Sequence, residues 1–90
     1  MENFMMNEDQ YFDLRNALMA EMAQLMSNLS ANTSSIGDWK VIKIYEARIK
    51  GEQDPYNFET LAAQRQAARD RINEIQEELK ELDNVSENNA

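Results

Sequence analysis

The sequence predicts an all-α fold in which two long antiparallel helices pack with a shorter middle helix. The first observation is that apolar residues recur at alternating steps of three and four from Phe58 to Leu82, the spacing of one helix face. The second is that turn-forming residues divide the chain at residues 30–35 and 51–55. We therefore expect one helical domain over residues 8–83, with a frayed N-terminus at 1–7 and a disordered acidic tail at 84–90.

The first helix is predicted from about Glu8 to Leu29, with acidic residues near its start that complement the helix dipole. It carries two apolar stripes. One contains Tyr11, Leu14, Leu18, Met22, Leu25 and Leu29, and the other contains Phe12, Met19 and Met26. Because packing within one chain would leave the second stripe in water, we expect a homo-oligomer.

The second helix is predicted from Ile36 to Lys50, ending at Gly51, a residue type common just after helices. Ser35 and Asp38 resemble a capping box with Asp in the Glu position. The β-branched run at 41–44 also permits a short strand, although no other segment offers a pairing partner. The predicted core stripe of this helix consists of Ile36, Trp39, Ile42, Tyr45 and Ile49.

The third helix is predicted to run to about Asp83 and to be capped by Asp54 or Asn57. Arg65 interrupts its apolar seam, and burial there would require a carboxylate such as Glu21 or Asp13. The seam residues are Phe58, Leu61, Ala68, Ile72, Ile75, Leu79 and Leu82.

Composition argues against catalysis. The chain has no Cys and no His, which leaves no thiol nucleophile, imidazole base or usual zinc ligand set. We therefore predict no enzymatic activity, no metal site and no cofactor. The net charge of -8 argues against direct nucleic-acid binding. Neither a signal peptide nor a run of ~20 apolar residues is apparent, so we expect a cytoplasmic protein without a membrane partner.

A basic and aromatic cluster is the first candidate site. A flat ring beside ammonium or guanidinium groups can stack a base and neutralise a phosphate. The alternative is that the aromatic ring belongs to the core and the lysines are solvated. The candidate ligand-binding residues are Trp39, Lys40, Lys43, Tyr45 and Arg48.

Two further features carry charge. Arg65 and Arg69 lie one turn apart and form a possible second anion or partner contact, with an interhelical ion pair as the alternative. The acidic residues between Glu74 and Asp83 are best interpreted as a solvated helix face, and a nucleic-acid mimic is the functional reading that such charge supports.

The run from Ser35 to Glu46, with Gly-Asp-Trp-Lys at 37–40, then Pro55-Tyr56 and the Arg65–Asn73 block, resembles small uncharacterised proteins of bacterial phages and prophages. That resemblance implies a phage protein in the cytoplasm of an infected bacterium. The leading hypothesis is a host-defence antagonist that sequesters a small anionic, nucleotide-like signal. One alternative is a structural or assembly protein that binds host or phage proteins through helix–helix interfaces. The other is an acidic nucleic-acid mimic that inhibits a host defence enzyme.

Overall fold

A computed structural model describes residues 8–88, and their side chains as far as residue 84. It contains three helices, α1 (Glu8–Ser30), α2 (Asp38–Ile49) and α3 (Phe58–Asn88), and no strand among the described residues. The all-α prediction is confirmed. α3 continues to Asn88, five residues past its expected end and into the stretch predicted to be a tail. The predicted frayed segment at 1–7, like residues 89 and 90, lies outside the described residues.

The molecule is long and thin, measuring 61 × 23 × 16 Å with a radius of gyration of 18.8 Å. A compact domain of this length has a radius of gyration of about 12 Å. The main apolar cluster joins α1 to α3 through Leu18, Ile75 and Leu82, and Ile75 is fully buried. Tyr11, Met22, Leu25 and Leu79 pack around it. The predicted α3 seam therefore forms the core from Leu61 to Leu82, whereas Phe58, its first predicted residue, is 42% exposed.

Polar contacts join α1 to α3 along the length of the pair. Near the start of α1, the Tyr11 hydroxyl donates to Asp83 Oδ1 at 2.9 Å. Farther along, the Arg71 guanidinium binds both carboxylate oxygens of Glu21 at 2.7 and 2.9 Å. Arg71 also binds Glu74 at 3.1 Å and Glu78 at 3.0 Å. These contacts fix the register in which the two long helices lie beside each other.

Arg65 lies inside the α3 seam and is buried to 9% exposure. Its Nη1 donates to the carbonyl oxygens of Leu29 at 3.1 Å and Ile36 at 2.7 Å, and its Nη2 donates to Asp38 Oδ1 at 2.6 Å. The prediction that Glu21 or Asp13 pairs with Arg65 is wrong. The carboxylate bound to Arg65 is that of Asp38, and Glu21 pairs with Arg71. The end of α1, the connection and the start of α2 thus meet on one guanidinium.

The turn into α2 depends on Gly37. A Cβ built there would overlap the Ala31 carbonyl oxygen, so a side chain does not fit. The helix begins at Asp38, with Gly37 as a cap residue that makes no side-chain hydrogen bond. The predicted Ser35–Asp38 capping box is therefore wrong, and Asp38 binds Arg65 instead.

The other two helix ends follow local rules. Gly51 has a positive φ of 77°, and its N–H donates to the Arg48 carbonyl while the Glu52 N–H donates to the Ala47 carbonyl. These two bonds form a Schellman motif, which confirms Gly51 as the stop residue. At the start of α3, the Thr60 N–H donates to Asn57 Oδ1 at 2.9 Å. Asn57 is therefore the cap.

The predicted core stripe of α2 is wrong. Its buried residues are Ile44 and Ala47, whereas Ile42, Tyr45 and Ile49 are 55–68% exposed. Both sides of α2 carry apolar residues, so periodicity alone could not show which side faces inward. The inward side includes the small Ala47, which permits a closer approach to the rest of the chain.

Replacing Arg65 with Met should lower the free energy of unfolding by about 2–4 kcal/mol, because the Leu29 and Ile36 carbonyls and Asp38 lose their donor. Urea denaturation at pH 7, followed by circular dichroism, measures the loss. Arg69→Met is the matched control on the same helix, and its exposed position should limit the change to about 0.5 kcal/mol. Equal losses in the two variants would contradict the central role of Arg65.

Candidate functional site

Trp39 and Lys40 meet Tyr56 where α2 begins beside the connection into α3. The rings of Trp39 and Tyr56 lie edge to face, with centroids 5.6 Å apart. Lys40 Nζ is 4.6 Å from the Tyr56 ring centroid and 5.7 Å from that of Trp39. Trp39 Nε1 donates to the Ser34 carbonyl oxygen at 2.7 Å. We call Trp39, Lys40 and Tyr56 the aromatic cluster.

Trp39 therefore holds the connection between α1 and α2 while remaining only partly buried. Its N–H is already satisfied, which leaves the ring face and the Lys40 ammonium as the groups able to contact a ligand. A flat anion would have to compete with the cation–π contacts that Lys40 makes to both rings.

The other three residues of the first candidate site lie apart from this cluster. Lys43 and Tyr45 are exposed on α2. The Arg48 guanidinium makes two hydrogen bonds of 2.8 Å to the Asp54 carboxylate and lies 4.9 Å from the Phe58 ring centroid. These hydrogen bonds hold the pKa of Asp54 below its ordinary value, and they raise that of Arg48. Arg48 thus closes the connection between α2 and α3.

Arg65 and Arg69, the second candidate pair, also differ in what they contact. Arg65 is occupied by the carbonyls and carboxylate described above. Arg69 is exposed and forms no ion pair among the described side chains, with one long contact of 3.5 Å to Gln66 Oε1. Both line a groove of about 270 Å³ between α2 and α3, together with Val41, Phe58, Leu61, Ala62 and Gln66. Of the two arginines, Arg69 is the one available to a ligand or partner.

The volumes of the surface depressions limit what one chain can enclose. A depression of about 160 Å³ lies beside Lys40 and Tyr56. Small-molecule sites usually measure about 300–1,000 Å³. A wider and open groove of about 620 Å³ lies beside Arg48, but Asp54 and Glu59 also line it and would repel an anion. A nucleotide-sized ligand at the aromatic cluster would need a second surface to cover it.

Among the described residues, none of the helices combines the length and the apolar composition that a membrane span requires. No group of three or more acidic side chains there is arranged to hold a metal ion.

Three residues that decide the contacts here were not among the predicted site residues. Asp54 was considered as a helix cap, and its position six residues after Arg48 across the Gly51 stop was the available signal for their ion pair. Asp38 has no such signal, because its partner Arg65 is 27 residues away in sequence. The contact of Tyr56 with Trp39 depends on how the connection between α2 and α3 folds back toward the start of α2.

Comparisons of this chain with protein-family profiles, curated proteins and solved structures found no significant match.

The pKa of Asp54 should lie below its ordinary value in the folded protein, and Arg48→Met should raise it back toward that value. Because the pKa is depressed on folding, the stabilisation from this pair is complete above the unfolded pKa and is lost as the pH falls through the folded one. Carboxyl NMR titration between pH 2 and 6 measures the pKa of Asp54 in the wild-type protein and in Arg48→Met. Arg15→Met is the control, since Arg15 pairs with Asp83. The same Asp54 pKa with and without Arg48 would rule out the pairing in solution.

Proposed function

We propose that the protein is a non-enzymatic helical binding protein that associates with itself and acts through helix–helix interfaces. In the phage setting that the resemblance implies, this corresponds to a structural or assembly role. The observation that carries the proposal is the exposure of two apolar helix faces on a molecule with a thin core. The face on α1 consists of Phe12, Met19 and Met26, and the face on α2 consists of Ile42, Tyr45 and Ile49.

The exposed fractions show that these faces are not covered within the chain. Phe12, Met19 and Met26 are 40–52% exposed, and all three α2 residues exceed half. Ile42, Tyr45 and Ile49 recur at steps of three and four and form a continuous stripe, whereas Phe12, Met19 and Met26 recur every seven residues and lie on one side of α1, two turns apart. Continuous apolar stripes of this kind are typical of protein interfaces.

The surface area of the chain is consistent with a missing partner. Its accessible surface is 6687 Å², whereas a compact monomer of 10.5 kDa exposes about 5,400 Å². The difference exceeds the roughly 800 Å² that each partner buries in an interface of standard size. The antiparallel arrangement of α1 and α3, supported by the Tyr11–Asp83 and Arg65–Leu29 contacts, makes a long platform for such an interface.

Light scattering at micromolar concentration should give a mass that is a multiple of 10.5 kDa. Met19→Lys should shift the protein toward the monomer mass with unchanged helicity, because it places a charge within the α1 face. Gln24→Lys is the matched control, since it adds the same charge at an exposed α1 position outside that face. A wild-type mass of 10.5 kDa throughout this range would overturn self-association.

A second candidate function is the sequestration of a small anionic ligand, which the host-defence hypothesis requires. The observation that favours it is the aromatic cluster, where Lys40 lies over two rings beside a small depression. Because the depression beside Lys40 and Tyr56 is too small for a nucleotide, this function also depends on a second copy to complete the site.

Calorimetric titration with mono- and cyclic nucleotides tests this second function. If the cluster binds them, Lys40→Met should weaken binding by about tenfold, the loss expected for one charge-assisted contact. Lys80→Met, on the exposed side of α3, should leave affinity unchanged. Absence of heat with the wild-type oligomer would remove the ligand hypothesis and leave the assembly role.

A further inference from the structure

The exposed α2 face is bordered by two lysines that form no ion pair with any described side chain. Lys43 follows Ile42, and Lys50 follows Ile49. Because they are seven residues apart, they lie on the same side of the helix, one near each end of the stripe. Most of the other cations are occupied, as Arg15, Arg48, Arg65 and Arg71 all pair with carboxylates and Lys40 lies over aromatic rings. Glu46 lies between the two lysines on the same side of the helix, so this face is apolar with a border of two cations and one carboxylate, which is net positive.

The α1 face has the opposite border. Glu8 and Asp9 precede Phe12 by about one helical turn, and Asp13 follows it directly. None of these three carboxylates forms an ion pair within the described part of the chain, and α1 has no basic residue in its last turn. This face is therefore apolar with a negative border.

The α2 face matches one half of the α1 face in length. Ile42 to Ile49 spans seven residues, about 10.5 Å of helix, as does the Phe12–Met19 part of the α1 face, which continues to Met26. In either direction of pairing, one lysine at an end of the α2 stripe lies beside the carboxylates at the Phe12 end of the α1 stripe. The apolar residues of the two faces can therefore be in contact while their opposite charges lie beside each other.

We infer that the α1 face of one chain docks on the α2 face of a second copy. This inference rests on the proposed self-association and names the surfaces that carry it. In a two-fold dimer the contact occurs twice, so that the α2 face and the Phe12–Met19 part of the α1 face are covered on each chain. The acidic net charge opposes the approach of two copies, but salt screens it beyond about 8 Å at physiological ionic strength.

Charge distinguishes this arrangement from pairing of α1 with α1. A parallel α1 pair would bring the carboxylates of Glu8, Asp9 and Asp13 against their own copies, which is unfavourable. An antiparallel α1 pair would place them beside a helix end that has no basic residue in its last turn. The α2 face is the one that supplies unpaired cations beside apolar contacts.

A charge exchange tests the interface by sedimentation equilibrium in 0.15 M salt. Lys43→Glu/Lys50→Glu should raise the dissociation constant at least about tenfold, because like charges then meet across both contacts. Glu8→Lys/Asp9→Lys should do the same for the converse reason. An equimolar mixture of the two variants should associate within about threefold of the wild-type constant, since both contacts in the mixed dimer regain opposite charges.

Asn73→Glu/Gln76→Glu/Lys80→Glu is the matched control for the lysine reversal, because it lowers the net charge by the same amount at exposed α3 positions. It should keep the wild-type constant. Circular dichroism should show the same helicity in every variant, which separates interface effects from loss of folding. A wild-type monomer would overturn the self-association itself. A wild-type oligomer that survives both charge reversals but is lost in Met19→Lys would overturn only this inference and assign the contact to α1 against α1.

Discussion

The Arg65 guanidinium is the interaction on which the arrangement of the three helices depends. It satisfies carbonyl oxygens at the end of α1 and in the following connection, and it holds the Asp38 carboxylate at the start of α2. A charge this deeply buried is tolerated because each of these acceptors compensates for its lost hydration. Gly37 permits the same turn by leaving space for the Ala31 carbonyl. Together they define where α2 begins relative to the long helices.

The placement of α2 leaves the molecule with more apolar surface than its core can use. The main apolar cluster joins α3 to α1, and α2 contributes only Ile44 and Ala47 to the buried set. The apolar residues on the outer sides of α1 and α2 therefore remain exposed to water. Exposed apolar surface of this kind is expected of a short chain whose core is completed by a second chain.

The charged residues divide into those that build the fold and those that stay available. Arg48, Arg65 and Arg71 each hold a carboxylate across a connection or between helices. Lys43, Lys50 and Arg69 have no such partner among the described side chains and lie on exposed surface. Although the net charge is -8, these exposed cations create local positive potential. Such potential suits a partner surface with a negative border better than an enclosed small-molecule site.

Periodicity and turn chemistry in the sequence determined the three helices, the α3 seam, the exposed α1 stripe, the Gly51 stop and the Asn57 cap, because each depends on residues within a few positions of one another. The partner of Arg65, the inward side of α2 and the separation of Arg48 from Trp39 were decided by tertiary structure. Each of these depends on contacts between distant segments: Asp38 with Arg65, Asp54 turning back on Arg48, and Tyr56 on Trp39. A local pattern cannot choose between two apolar sides of one helix, since only the surrounding chain distinguishes them.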